Sequence, residues 1–406
     1  MLGRPLFFCY LLTIFPILPY LGSIGLHNQT ISWIINFVLV TSAILVCKKY
    51  FKPSNKADYY SIYAFGLWSI IGIIRGIIVA DNYWEYKNLI SSSFDLSVPI
   101  FAIIFSFPAI LSKSLHYWIK FSIPLFCIIG IWMVSSGRYQ FLLGPIYLLI
   151  CFFPFVSKKW KILLLGFALF LLFINLGARS QSLKSLISIL IALAFIFHRI
   201  IGKKIIYITF WSLWIIPIIL LTLGIIGKFN IFEDLSSHQG EYINTKTGED
   251  LSSDTRTFIY KETILSAVHN KYVLYGRTPA RGNDSKSFGT FNSEILRTGK
   301  YERFKNEVCH LNIFTWLGII GIILYSSIYF VSSYRAVFNS RNKYIQFIGL
   351  LISFHWAYGW IEDINNFDIL TISLWMMIAM GLSYEYRQMS NKAFKLWARN
   401  IFIKTL

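Results

Sequence analysis

The chain has 406 residues, of which 56% are hydrophobic and only 14% are charged, whereas soluble domains carry about 25% charged residues. This composition excludes an ordinary soluble protein. Lys and Arg outnumber Asp and Glu by 38 to 19, but the basic residues lie between long apolar segments, so the net charge of +19 does not indicate nucleic-acid binding. Five scattered cysteines predict neither a disulfide framework nor a metal site.

Apolar segments long enough to cross a bilayer as helices recur from one end of the chain to the other. They predict an all-α polytopic membrane protein with about twelve transmembrane helices. The segments lie near 5–26, 31–47, 61–80, 94–112, 115–134, 139–157, 161–177, 183–199, 205–227, 310–333, 344–361 and 368–384.

The predicted helices divide the chain into four parts. Residues 1–227 form a membrane domain of about nine helices, 228–309 a large loop, 310–384 a membrane domain of about three helices and 385–406 a basic tail. The loop holds 11 of the 19 acidic residues together with 12 Lys and Arg. We therefore expect a water-facing subdomain there, with function in it and beneath it.

One helix is predicted inside the large loop. Asp254 is a suitable N-cap, and apolar residues follow it at helical spacing. These residues are Phe258, Ile259, Ile264, Leu265 and Val268. We expect this apolar face to lie on the membrane domain.

Basic residues are concentrated in every second loop, which is the pattern of cytoplasmic loops in membrane proteins. The alternation predicts that both termini are cytoplasmic and that the loop 228–309 lies on the outer side of the membrane. Basic tracts such as 158–161 are then topology signals and contacts to anionic lipid.

Several catalytic motifs are absent from the sequence. It has no phosphate-binding loop of the Gly-x4-Gly-Lys-Ser/Thr type, no His-Glu-x-x-His and no Asp-x-Asp pair. We therefore do not expect ATP-driven or nucleotide-sugar-dependent reactions, and we expect neither a metal nor another cofactor. The acidic turn Glu362-Asp363 resembles any solvated loop and receives no functional weight.

Four arginines on the predicted outer side are candidate phosphate ligands, because the planar guanidinium can bind two oxygens at once. Arg179 lies where two predicted spans turn, although an interfacial arginine that extends to lipid phosphate is an equal alternative. Arg256 begins the predicted amphipathic helix, where free backbone N–H groups would add to its charge. Arg277 and Arg281 lie on a glycine-rich loop that a solvated surface would also explain.

Three further residues complete the candidate site. Arg75 interrupts the third predicted span near its outer end, where a charge is costly, and is a possible supporting residue. His310 begins the tenth span and is a candidate general base. Glu307, one helical turn earlier, is suited to orient His310 or to replace it.

Three stretches together resemble the O-antigen polymerase and O-antigen ligase superfamily of bacterial inner membranes. Ala178-Arg179-Ser180 resembles the family's Ser-Arg-Gly region, and Asp254-x-Arg256 before Tyr260, with Tyr275-Gly276, resembles its Arg-x-x-x-Trp helix and glycine loop. His310 before Leu317-Gly318-Ile319-Ile320-Gly321 resembles its His-Asn helix. The histidine departs from the pattern: it lies eight residues before Gly318 instead of eleven, and Glu307 occupies the usual place.

The resemblance implies a metal-independent glycosyltransferase that joins undecaprenyl-diphosphate-linked oligosaccharide repeat units at the periplasmic face of the inner membrane. It implies that Arg179, Arg256, Arg277 and Arg281 bind the donor diphosphate and that His310 or Glu307 deprotonates the acceptor. The expected partners are the lipid-linked donor and acceptor, the bilayer, and a chain-length regulator and flippase of the same pathway.

Two alternatives remain open. An O-antigen ligase, which passes finished polymer to a lipopolysaccharide core, differs only in that its histidine motif is expected in standard form. A polysaccharide flippase or other transporter would be expected to have related halves with short loops on both sides, and neither feature is evident in this sequence.

Overall fold

The computed structural model describes residues 3–17, 28–53, 55–129, 140–173, 179–225, 255–286 and 288–403. These residues are predominantly helical, which agrees with the predicted all-α membrane protein. Residues 226–254, which include the first part of the predicted large loop and Asp254, lie outside the described ranges.

The regular elements of the described residues are mostly α-helices. The α-helices are α1 Gly3–Ile14, α2 Gln29–Tyr50, α3 Tyr60–Val79, α4 Tyr83–Ser97, α5 Ile100–Phe105, α6 Pro108–Ile129, α7 Gln140–Leu143, α8 Ile146–Cys151, α9 Lys158–Phe173, α10 Arg179–Ile196, α11 Lys203–Ile225, α12 Thr255–His269, α13 Cys309–Phe338, α14 Lys343–Tyr358, α15 Ile369–Leu382, α16 Tyr384–Gln388 and α17 Asn391–Ile403. Short 3-10 turns occur at Phe15–Ile17, Lys56–Tyr59 and Phe153–Phe155, and a π-helical turn at Phe291–Ile295. The strands are β1 Asn283–Asp284 and β2 Glu302–Arg303.

Five helices in the described residues are long and apolar enough to cross a membrane. They are Gln29–Tyr50, Lys56–Val79, Tyr83–Phe105, Lys203–Leu223 and Cys309–Phe338. Several other predicted spans are shorter or interrupted, as in the region 139–157, where α7 and α8 are separate short helices. The chain is therefore an α-helical membrane protein, and the number twelve remains a prediction.

The predicted outer loop at 81–93 is instead part of a helix. Helix α4 begins at Tyr83, where the Asn82 side chain accepts hydrogen bonds from the backbone N–H groups of Trp84 and Glu85. The polar residues Glu85 and Asn88 make this segment look like a water-facing loop in the sequence. Both have partners in the 255–308 region, because Glu85 pairs with Lys300 and Asn88 donates to the Pro279 carbonyl.

The centre of the bundle is formed by α13, α14 and α15. Helix α13 packs on α3, α14 and α15, and its Tyr325 and Tyr329 are fully buried beside Trp375 of α15. Helices at the periphery have the opposite character. Ile74 and Ile78 of α3 are 52% and 78% exposed, which is the expected state of side chains that contact lipid.

The predicted basic tail folds as two helices, α16 and α17. Helix α17 is amphipathic and lies across α6, where the Trp397 indole N–H donates to the Pro108 carbonyl at 3.0 Å and the Ile401 carbonyl bonds to His116. Its buried face consists of Phe394, Ala398, Ile401 and Phe402. The tail is therefore part of the packed structure.

The loops sort to two ends of the bundle. At one end, which we call the basic end, residues 48–58, 158–161, 198–204, 335–343 and 384–403 meet. Three contacts illustrate this: the buried Asp58 carboxylate pairs with both Arg335 and Arg387, Lys343 bonds to the His198 carbonyl, and the Trp160 ring lies 5.4 Å from Phe402. At the other end, residues 255–308 form a small unit that we call the cap.

Helix α12 of the cap is confirmed as a helix, but the face it buries differs from the predicted one. Ile259, Thr263 and Ala267 are buried, whereas Leu265 and Val268 are 58% and 62% exposed. The reason is that small and hydroxyl residues allow close packing on the rest of the cap. The larger apolar residues point outward.

Candidate functional site at the cap end

The cap is held together by a carboxylate that two arginines share. Strands β1 and β2 pair antiparallel, with Asp284 opposite Glu302. Glu302 is 3% exposed and lies 3.0 Å from an Arg277 nitrogen, and Arg281 forms a bidentate contact with it. The Gly282 N–H donates to the same carboxylate at 3.2 Å. A buried charge requires this kind of pairing, because an isolated ion in the interior is very costly.

The same network reaches the membrane bundle. Glu85 of α4, which is 1% exposed, lies 2.6 Å from the Lys300 ammonium and 3.5 Å from Arg281. Arg277 also bonds to Asp284 at 2.6 Å. Arg277 and Arg281 therefore have carboxylate partners already, and their positive charge is neutralised within the cap.

Arg75 joins the cap to α3 through backbone groups. Its guanidinium donates to the carbonyls of Tyr275 and Gly276 at 2.8 and 3.0 Å. These two bonds explain why a charge is retained near the end of an otherwise apolar helix. Arg75 fixes the position of the glycine-containing loop.

The loop at 273–277 also inserts against a break in α13. Gly318 has φ +70 and ψ −167, which interrupts the helix, and a Cβ there would lie 2.3 Å from the Leu274 carbonyl oxygen. Gly276, with φ +73, would place a Cβ 2.4 Å from the Leu317 nitrogen. Only glycine tolerates both the left-handed backbone and this close approach.

Lys305 forms a second junction between the cap and the bundle. Its ammonium lies 2.6 Å from Asp95 of α4 and 3.3 Å from Asp363, and it donates to the Asn366 side chain at 2.7 Å. Burial would lower the pKa of Lys305, but the negative charges of Asp95 and Asp363 outweigh it and raise that pKa. Lys305 therefore stays charged and acts as a fixed cation beneath the cap.

The two candidate bases have very different surroundings. His310 is fully buried; its Nε2 lies 3.1 Å from the Trp356 carbonyl oxygen, and its ring centroid is 4.2 Å from that of Trp360. Glu307 is 62% exposed and has one ion pair, to Arg303 at 3.3 Å. Of the two groups, only Glu307 is open to a substrate hydroxyl.

Arg179 lies on α10 and Arg256 lies on α12. Their side chains lie outside the described part of the structure. Further along α12, the Tyr260 hydroxyl donates to the Trp360 carbonyl and connects the cap to the loop that follows α14.

A polar cavity lies within the bundle beneath the cap. We use this name for the space of about 30 Å³, enough for a water molecule, that is lined by Lys184, His355, Asp363, Asn366 and Asp368 with apolar neighbours. Lys184 is 6% exposed. Its ammonium faces the Tyr358 ring at 5.4 Å and forms no ion pair with a described residue.

The polar cavity contains residues that the sequence patterns did not single out. Lys184 could have been recognised from the sequence, because it is a charged residue inside a predicted span and lies five residues after Arg179. Asp363 was dismissed with the rest of its acidic turn. Its role becomes visible only when the fold places it between Lys305 and the cavity.

No known family model, curated protein or solved structure matches this chain. Within the described residues, no group of three or more His, Cys, Asp or Glu side chains is placed to hold a metal ion. A functional assignment therefore depends on the cap, the polar cavity and the motifs of the sequence.

Proposed function

We propose that the chain is a surface-polysaccharide polymerase, a glycosyltransferase that joins lipid-diphosphate-linked repeat units at the cap end of the membrane bundle. The observation that carries the proposal is Lys184, a buried lysine without an ion pair to a described residue, in a cavity that two carboxyl side chains also line. Such a group is costly in a membrane protein and is typically retained for function.

The donor diphosphate is proposed to bind near Arg179 and Lys184 of α10. Lys184 lies about one and a half turns from Arg179, and the planar guanidinium of an arginine can bind two phosphate oxygens at once. Arg256 of α12 is proposed as a further cation. Arg277 and Arg281 are assigned to cap structure instead, because Glu302 already binds both.

The general base is proposed to be Glu307. A base must come within hydrogen-bond reach of the proton that it removes, and Glu307 is exposed whereas His310 is enclosed. In the proposed step the acceptor oxygen attacks the anomeric carbon and its proton passes to Glu307. The bond from that carbon to the diphosphate oxygen breaks, and the lipid diphosphate leaves with the electron pair.

The cations have a defined task in this step. Negative charge grows on the leaving diphosphate as its bond to the sugar breaks, and a fixed cation in a water-poor site stabilises it. Loss of one such contact typically costs about a hundredfold or more in rate. Because the cavity is small, the proposal requires the loop 359–368 to move outward when the donor binds.

The test is to delete the gene in its host, return variants, and separate the surface glycan on a gel beside the lipid-linked pool. Lys184→Gln should reduce long chains about a hundredfold or more, and Lys184→Arg should retain part of the activity. Lys286→Gln removes the same charge from an exposed position in the cap and is the matched control. Wild-type chain lengths in Lys184→Gln, at normal protein abundance, would refute the donor site.

The deletion strain separates the classes of function. Glycan reduced to a single repeat unit identifies a polymerase. Long chains that remain on the lipid carrier, with bare core, identify a ligase. Repeat units trapped on the cytoplasmic face identify a flippase, for which a buried Lys, His and Asp in one cavity would serve as a proton or substrate pathway.

The proposed location is the bacterial inner membrane, with the cap on the periplasmic side and both termini in the cytoplasm. Single cysteines at Lys286 of the cap and Lys392 of α17 test this orientation in a chain whose own exposed Cys127 is changed to Ser. A membrane-impermeant maleimide added to spheroplasts should label the first position and spare the second. Labelling at position 392 but not at 286 would place the cap on the cytoplasmic side and the C-terminus outside.

A further inference from the structure

A groove lies at the basic end of the bundle, and its properties do not depend on the proposed polymerase reaction. Two adjacent cavities of about 490 and 520 Å³ share His198 and Lys395. They lie between the end of α10, the start of α14 and helix α17. We call their combined space the basic groove.

The charge of the basic groove has one sign. Among the described residues, six Lys and Arg side chains line it, and no Asp or Glu does. The six are Lys161, Arg199, Lys343, Lys392, Lys395 and Arg399. None of them forms an ion pair with a described carboxylate, in contrast to Arg335 and Arg387 nearby, which share Asp58. Clustered cations of this kind repel one another, so an anion that enters the groove gains from all of them.

Several of these cations are held in position. The Lys343 ammonium donates to the carbonyls of His198 and Ile201 at 2.8 and 3.1 Å, which leaves one donor for a ligand. The Lys395 ammonium lies 5.9 and 5.6 Å from the ring centroids of Phe155 and Tyr344. Side chains restrained before binding lose less conformational entropy when the ligand arrives.

The rest of the groove wall is apolar. Phe153, Phe155, Phe195 and Ile196 line it together with Leu396, which is 51% exposed. A small inorganic anion has no apolar surface to bury against this wall. The first carbons of an acyl chain would bury apolar surface there. The lining therefore combines a site for phosphate with a surface for hydrocarbon.

Helix α17 presents basic side chains on its outer side. Lys392, Lys395 and Arg399 are at positions i, i+3 and i+7 on the exposed side. Its opposite, apolar face is buried against the bundle. An exposed cluster of basic side chains in a membrane protein attracts anionic lipid.

We propose that the basic groove binds the phosphate headgroup of an anionic phospholipid, with its acyl chains leaving along the aromatic wall. Free phosphate shares the headgroup chemistry, but it would leave the apolar lining unused. The site is a fixed lipid position, distinct from the general attraction of a basic surface.

The experiment uses the purified full-length chain and lipid titration followed by native mass spectrometry. Wild-type protein should retain phosphatidylglycerol at least tenfold more tightly than phosphatidylcholine. The triple variant Arg199→Gln, Lys392→Gln, Lys395→Gln should lose that preference. Its matched control is Lys48→Gln, Lys49→Gln, Lys52→Gln, which removes the same charge from exposed positions at the same end of the bundle but outside the groove.

Three outcomes would overturn the proposal. Equal retention of the two lipids by the wild type would show that no headgroup is selected. An equal loss in both triple variants would show a diffuse electrostatic effect. Displacement of phosphatidylglycerol by inorganic phosphate at equal concentration would identify a free-phosphate site, since the apolar wall would then contribute nothing.

Discussion

The cap and the basic end use the same types of cation for opposite purposes. In the cap, Arg277, Arg281 and Lys300 meet Glu302 and Glu85 in buried ion pairs. In the basic groove, six Lys and Arg side chains share one space without a carboxylate. Paired charges hold two parts of the fold together, whereas cations without carboxylates are available to a ligand. The role of an arginine is therefore set by its partners.

The largest expected effect comes from Glu302→Gln, which removes the shared carboxylate and leaves Arg277 and Arg281 short of negative charge. Breaking a buried ion pair from one side typically costs about 3–5 kcal/mol of stability. The melting temperature of the detergent-purified protein should fall, and trypsin should cleave at the arginines of the cap.

Glu294→Gln is the matched control for this change. Glu294 is exposed in the same cap, and among the described residues its carboxylate accepts one hydrogen bond, from the Tyr301 hydroxyl at 3.0 Å. Its melting temperature should equal that of the wild type. Equal melting temperatures for Glu302→Gln and wild type would contradict the structural role of the pair.

Gly318→Ala should have the next largest effect, because it blocks docking of the loop at 273–277. The added methyl group meets the Leu274 carbonyl and requires a left-handed backbone, at a combined cost of about 2–5 kcal/mol. The loss of melting temperature should be accompanied by faster proteolysis of the cap.

Gly66→Ala is a control that should raise the melting temperature slightly instead of lowering it. Gly66 lies within α3 and has no atom within 4 Å of an added Cβ, and alanine favours a helix by up to about 1 kcal/mol. A melting temperature that falls equally in both variants would show that the break in α13 has no special role.

Asp284 should give a smaller, pH-dependent effect. Burial would raise the pKa of Asp284, but hydrogen bonds from Arg277 and Asn270 outweigh it and lower that pKa. A lowered folded-state pKa adds stability above the unfolded value of about 4, and this stability is lost as the pH falls through the folded value. Because the side chain is 42% exposed, solvent screening limits the contribution to less than about 1 kcal/mol.

The measurement compares Asp284→Asn with the wild type in melting experiments from pH 7 to pH 3. The variant should be slightly less stable at pH 7, and the difference should shrink below about pH 4. A difference that stays constant, or that grows in acid, would show that the carboxylate does not stabilise the cap by its charge.

The smallest effect on stability is expected at the basic groove. Lys392→Gln removes a cation that has no ion-pair partner among the described residues, and surface changes of this type usually stay within about 0.5 kcal/mol. The melting temperature in neutral detergent should therefore not change. A clear fall in melting temperature would show that Lys392 stabilises the fold. The cations of the basic groove would then be structural, like those of the cap.

The positions of the helices were largely predictable, because apolar segments of this length have few other structures open to them in a membrane. The segments near 205–227 and 344–361 agree with α11 and α14 within a few residues. The first part of helix α4 was predicted as a loop because its polar residues have their partners far along the chain, at Lys300 and Pro279. Sequence periodicity contains no information about such distant pairing.

The candidate site was predictable only in part, for the same reason. A charge inside an apolar segment is visible in the sequence, and this signal found Arg75 and would have found Lys184. The sequence did not show that Arg277 and Arg281 share Glu302, since the pairing depends on the β1–β2 register. Nor did it show that His310 is enclosed by Trp356 and Trp360.

The break in α13 makes this helix depend on α3 and on the loop at 273–277 for hydrogen-bond partners. Around Gly318, the Thr315 carbonyl accepts the Arg277 N–H, the Leu317 carbonyl accepts the Trp68 indole N–H, and the Ile319 N–H donates to Val273. In hydrocarbon, backbone groups without such partners are prohibitively costly. If the loop at 273–277 undocked, the backbone groups around Gly318 would lose the partners that the loop supplies. Docking of the loop and stability of the break in α13 are therefore thermodynamically coupled.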